Sequence, residues 1–245
     1  MTNTANTPPT PRLTVILGGT GGLGAALAQT MVARGETVLA IGRHTDPAID
    51  YTQPESVAAC AQRVADRLAQ RGETLAHLIV ATGFLHGETA AGARAEPERS
   101  WLHLEADALT HSFAVNAIGP ALVMRHFLPL LPRQGPCQAA FFSARVGSIG
   151  DNALGGWYAY RAAKAALNQL VHTAAIELAR RNRESVCVAL HPGTVETPLS
   201  QPFAKTGLKV RPAEVAAAEL VAVMDGLTAA QTGGFFDHQG KTVPW

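Results

Sequence analysis

Very little in this sequence asks for a metal, a nucleic acid or a membrane. Its three cysteines, Cys60, Cys137 and Cys187, are scattered, without the short spacings of a metal site. No metal is expected, and the thiols read as buried groups in a reducing compartment. Charge of one sign is missing too: 20 Lys plus Arg against 19 Asp plus Glu leave a net +1. A phosphate backbone needs a concentrated basic surface, so nucleic acid is not the expected partner. No apolar run is read as reaching the roughly 20 residues of a membrane span. The opening MTNTANTPPTPR is polar and proline-rich where a signal peptide would place an apolar core. No Ser/Gly-rich or charge-rich linker divides the 245 residues, and no repeat recurs. These absences lead to the expectation of a cytoplasmic, soluble protein. Residues 1–11 would be a flexible tail, and residues 12–245 one domain with a substrate loop near 198–210.

What is present is alternation. LTVILGG, TVLAIG, AHLIVATG, CQAAFFSA, SVCVALHPG and GGFFDHQG read as short buried strands. Between them lie longer helical patterns. One opens at Pro54 and closes at Gly72, one covers about 98–132 with an interruption near Gly119-Pro120, and one starts at Tyr158. Strands alternating with such helices predict an α/β fold with a doubly wound parallel sheet, helices on both faces.

The first strand runs into LGGTGGLG, residues 17–24. Gly18, Gly22 and Gly24 permit a tight turn and close approach to a pyrophosphate. Thr20, Gly21 and Leu23 complete a backbone cradle at a helix N-terminus, where free N–H groups attract anions. The second strand ends in AIGRH, with Arg43 where a carboxylate would grip the ribose of NAD. An arginine there suits a 2′-phosphate, so NADP(H) is favoured over NAD(H).

Tyr160 and Lys164 stand one helical turn apart on one face. A hydride added to a carbonyl carbon leaves charge on oxygen, which needs a proton donor. A phenol with pKa near 10 becomes a better donor if a lysine charge lowers it. Tyr158 has no such lysine and reads as a packing or pocket-wall residue.

Together these motifs, with VNAIGP around Asn116 and HPGTVETP at 191–198, resemble the short-chain dehydrogenases/reductases. The likeness covers Leu13 to the C-terminus. GGWYAYRAAKAALN and FFDHQGKTVPW are similar to the C-factor-like and carbonyl-reductase-like branch. The resemblance implies a Rossmann-type sheet of about seven strands, a nicotinamide cofactor and carbonyl/alcohol redox chemistry. It implies Tyr160 as proton donor, Lys164 as activator and ribose anchor, and Asn116 as anchor of a proton-relaying water. It further implies that Asp50 and Tyr51 cover the adenine and Gly83 passes its ribose. Pro192, Gly193, Val195 and Thr197 would close over the nicotinamide. Residues after Phe84, the 151–158 loop and the 198–209 segment would line the substrate pocket. A dimer or tetramer through the long central helices would be expected.

Two departures stand out. VATG at 80–83 lacks the asparagines that many members carry there. Where the family places a serine after the fifth strand, this chain has Ala144. Ser143 or Ser148 could supply a hydroxyl through a local bend, or turnover could proceed without it. The alternative function is an NADP(H)-binding signalling or sensor protein with little turnover.

Overall fold

The computed structural model describes residues 11–201 and 210–245. Most of the expected tail and residues 202–209 of the expected substrate loop therefore lie outside the described residues. The main sheet holds β1 (Arg12–Leu17), β2 (Thr37–Ile41), β3 (Thr74–Val80), β6 (Cys137–Phe142), β7 (Ser185–His191) and β8 (Phe235–Asp237). Its order is β2-β1-β3-β6-β7-β8, and all its pairs are parallel. A small antiparallel pair, β4 (Gly87–Glu88) and β5 (Arg94–Ala95), stands apart.

The sheet has six strands among the described residues where the resemblance implies about seven. The reason lies in residues 42–53. They pass directly from β2 to α2 (Pro54–Arg71), too short a link for the crossover helix that a further parallel strand would need. β2 is left at the sheet edge.

Alternation along the strands feeds two cores. Leu13, Val15 and Leu17 pack towards α2, α4 (Gly119–Phe127) and α5 (Tyr158–Arg181). Ile16, Ile79 and Phe142 pack towards α1 (Gly22–Ala33) and α6 (Ala213–Gly226). α2 carries Pro54 at its first turn and ends on Gly72 at φ 62°, a left-handed stop that glycine adopts without cost.

The region around Gly119-Pro120 departs from its sequence reading. α3 (Ala106–Phe113) continues through a π-helical turn at Ala114–Ile118 into α4. The wider turn removes the hydrogen bond that Pro120 cannot make, so the helix runs on where an interruption is expected. The helix also begins at Ala106; the stretch from residue 98 to 105 holds a loop and one 3-10 turn, Trp101–His103. The continuous run Ala106–Leu130 has 25 residues with a mean hydropathy of 1.2 in its most apolar window. Contrary to the sequence reading, it is long and apolar enough to cross a membrane, although here it packs against α2 and α5.

Candidate active site

The glycine turn forms where β1 leaves the sheet. Gly18 and Gly19 both donate to Ile41 O, at 2.8 and 3.0 Å, tying the turn to the end of β2. Gly18 has φ 82°, and a Cβ on Gly24 would stand 2.1 Å from Gly18 O. Only glycine fits such a cradle. No side chain caps α1 at Gly21, so its first N–H groups face outward as anion donors. Thr20, Gly21 and Gly22 are exposed at the strand ends, with Leu23 half-buried behind them.

The expected catalytic groups meet beside this turn. Lys164 is 2% exposed, and Nζ donates to Phe142 O at 2.8 Å. The same ammonium lies 5.7 Å from the Tyr160 ring centroid. A Cβ on Gly83 would sit 3.6 Å from Asn116 Oδ1 and 3.8 Å from Lys164 Nζ, so Gly83 lies between the two. Asn116, fully buried in the π turn, grips the loop after β3. Phe84 N donates to Oδ1 at 3.0 Å, and Nδ2 donates to Phe84 O at 2.8 Å and Ser112 Oγ at 3.2 Å. Its carboxamide is a brace; a water-anchoring role would fall to its backbone.

Burial governs the protonation of the pair. It pushes Lys164 down to about 7 and the Tyr160 phenol above its ordinary 10. The expectation that the lysine lowers the phenol is thus reversed in the protein chain alone. Desolvation disfavours both charged forms, and the phenol stays protonated, the state a donor needs.

The remaining expected residues divide. Thr197 reaches back over the turn, its Cγ2 2.8 Å from where a Cβ on Gly22 would lie. Gly193 takes φ 71°, and the Arg211 guanidinium donates to Pro192 O. Val195 is buried and bridged to Arg211, so its side chain belongs to the packing under this loop. Arg43 is exposed beyond Gly42 at the edge strand. Tyr51, expected over an adenine, is core instead: it is 6% exposed, and its ring lies so close to Gly119 that a Cβ there would stand 2.3 Å from it. Burial raises its phenol. The Tyr51 hydroxyl and Thr82 Oγ1 influence each other, yet neither makes a hydrogen bond of good geometry. Asp50 caps its own loop, accepting from Thr52 N and Oγ1 at 2.9 and 2.7 Å.

Ala144 lies just beyond β6, in extended backbone and buried. Neither neighbouring serine is free to take its place. Ser143 Oγ donates to Asn168 Oδ1 at 2.6 Å. Ser148 Oγ lies 3.4 Å from Trp245 O and accepts from Asp151 N at 3.1 Å.

Three residues here were not singled out from sequence. Glu98 is 5% exposed; its carboxylate accepts from Ala159 N at 3.3 Å and its carbonyl from Trp157 N at 2.6 Å. It thereby caps α5 and holds Trp157 at φ 54°. Arg161 donates to Gly155 O, Gly156 O and Val146 O, clamping the preceding loop. Asn168 follows Lys164 by one turn, a spacing that could have marked it. Nothing in the sequence marks Glu98, because its partner is a backbone N–H 61 residues away. A cavity of about 700 Å³ is lined by Glu98 together with Thr89, Arg94, Leu102 and Glu105; Tyr160 and Lys164 do not line it.

With this geometry in hand, the comparisons with known proteins are specific. The family model described as short chain dehydrogenase matches residues 12–207. The C-signal protein of Myxococcus xanthus is 39% identical over 137 residues, 56% of this chain and 78% of that protein. The 1-hydroxy-2-glutathionyl-2-methyl-3-butene dehydrogenase of Rhodococcus sp. (strain AD45) is 29% identical over 243 residues, covering 94% of this chain and 98% of its own. Among solved structures, a short-chain dehydrogenase/reductase from Burkholderia multivorans with bound NADP is 26% identical. It superposes with a TM-score of 0.75 over 97% of this chain and 100% of that one.

Proposed function

The chain belongs to the short chain dehydrogenase family and is an oxidoreductase, and we propose that it moves a hydride between NADP(H) and a carbonyl or alcohol substrate. The observation that carries this reading is the meeting of Tyr160, Lys164 and Gly83 beside the glycine turn. The cradle fits a dinucleotide: a Cβ on Gly22 or Gly24 would fill it, and the helix end behind it carries no side-chain cap. Gly18–Gly24 would hold the pyrophosphate, Thr197 would close over the nicotinamide, and Arg43 would meet the 2′-phosphate that distinguishes NADP from NAD. When bound, the nicotinamide supplies or accepts the hydride.

The chain's own part is to hold and move a proton. Tyr160 presents a protonated phenol to the substrate oxygen. Lys164, braced on Phe142 O, would anchor the nicotinamide ribose, and its ammonium would stabilise the phenolate left when Tyr160 gives its proton to the substrate oxygen. Asn116 keeps the loop carrying Gly83 and Phe84 against this pair. Three free, buried thiols accord with a cytoplasmic location, and pairing through the long central helices into a dimer or tetramer belongs to the same reading.

A second reading, an NADP(H) sensor with little turnover, draws on Ala144 and the two engaged serines. NADPH oxidation with a panel of aldehydes, ketones and diketones separates the two. Saturable turnover supports the reductase. Micromolar NADPH binding with no turnover of any carbonyl would transfer the case to the sensor.

A further inference from the structure

Resting on the reductase reading, we propose that Ala144 makes the site selective for α-hydroxycarbonyl compounds, whose own hydroxyl gives the hydrogen bond that a methyl group cannot. Residues 142–147 wrap around Lys164. Phe142 O takes its ammonium at 2.8 Å, and Gly147 lies so close that a Cβ there would stand 2.7 Å from Lys164 Cβ. Ala144 sits between these two contacts, at φ −144° and ψ 144°. In extended backbone, neighbouring side chains point to opposite sides. Ser143 points to Asn168, one turn beyond Lys164, whereas Tyr160 lies one turn before it. Ala144 therefore turns to the side that Ser143 does not face.

Rotating either serine towards the substrate breaks something. Ser143 would orphan the Asn168 oxygen in a fully buried pair, and Ser148 is held by the loop amide of Asp151. A buried acceptor left unsatisfied is costly, which holds Ser143 on Asn168, while Ser148 keeps its place as the acceptor of the Asp151 amide.

The chemistry then sets the substrate class. A hydride from the reduced nicotinamide, which is oxidised, bonds to the carbonyl carbon. The C=O π pair moves to oxygen, and that oxygen takes the proton of the Tyr160 phenol. A vicinal diol results when the neighbouring carbon carries a hydroxyl. Before the proton arrives, charge builds on the oxygen, and each donor aimed at it speeds the step. Ala144 contributes none. An α-hydroxyl reaches the adjacent oxygen through a five-membered ring, and its hydrogen bond strengthens as the charge grows.

The test uses three probes of similar size: 2-butanone, 3-hydroxy-2-butanone and 3-methoxy-2-butanone. The methoxy ketone withdraws electrons but cannot donate. With the wild-type protein, kcat should favour the hydroxy over the methoxy ketone by about 100-fold or more, the range of one lost donor. Ala144→Ser should raise kcat on the plain and methoxy ketones by up to about 10²- to 10³-fold and leave the hydroxy ketone nearly unchanged. In complexes with the oxidised cofactor, which cannot react, Ala144→Ser should also lower the infrared carbonyl stretch of bound 2-butanone. Equal wild-type turnover of the hydroxy and methoxy ketones overturns the proposal and leaves carbonyl reduction standing, whether or not the variant folds. So does an unshifted carbonyl stretch in a folded, NADPH-binding Ala144→Ser. No turnover of any of the three, or of the wider carbonyl panel, overturns both.

Discussion

At the scale of single residues, the decisive fact is that burial and charge oppose each other at Lys164. Its pKa falls from 10.5 to about 7. Below pH 7 the folded protein keeps a buried ammonium; between about 7 and 10.5 the unfolded chain binds a proton that the folded one has released. Stability from this group must therefore rise with pH across that window. Lys164→Met removes the penalty, so its melting temperature relative to wild type should be highest near pH 6 and decline steadily towards pH 10. A flat difference across melts from pH 6 to 10 would show that the amine is not desolvated. The spacing of Tyr160 and Lys164 was readable because a helix converts four residues into one face. The sign of the phenol's shift was not, because it depends on how many atoms surround the hydroxyl. Tyr51 is the same lesson reversed: its place in the chain suggested a ligand cover, and the close approach of Gly119 makes it core.

At the scale of elements, the π turn at Ala114–Ile118 determines where the brace falls. It carries Asn116 inward and lets Pro120 sit in a continuing helix. In the sequence Gly119-Pro120 reads as a break, the usual meaning of that pair, since a one-residue widening leaves no pattern of its own. Asn116→Ala should orphan the Phe84 amide and carbonyl. We expect a loss of about 1–3 kcal/mol in stability and faster hydrogen exchange at Phe84, while α6, which packs with α1 in the other core, exchanges as before. Unchanged exchange at Phe84 would remove Asn116 from this role. Strand and helix identities elsewhere were legible from period and caps, as at Pro54 and Gly72. The capping of α5 by Glu98 was not, since it joins segments distant in sequence.

At the scale of the whole molecule, a six-stranded sheet with β2 at its edge leaves Arg43 exposed beside the glycine turn. The doubly wound architecture was written in the alternation of elements; the strand count was not, because the resemblance supplied it and residues 42–53 are too short to honour it. If Arg43 reads a 2′-phosphate, NADPH should raise the melting temperature more than NADH at equal concentration, since a ligand stabilises by its occupancy of the folded state. Arg43→Ala should erase that difference. Equal shifts from both cofactors in the wild-type protein would count against NADP(H). The measurement that bears most directly on the central claim is turnover by Tyr160→Phe, with NADPH affinity measured on the same sample. Ketone reduction should fall by about 10²- to 10⁴-fold, the usual weight of a general acid, while NADPH binds as in wild type. Reduction that continues at the wild-type rate without the phenol would contradict the account.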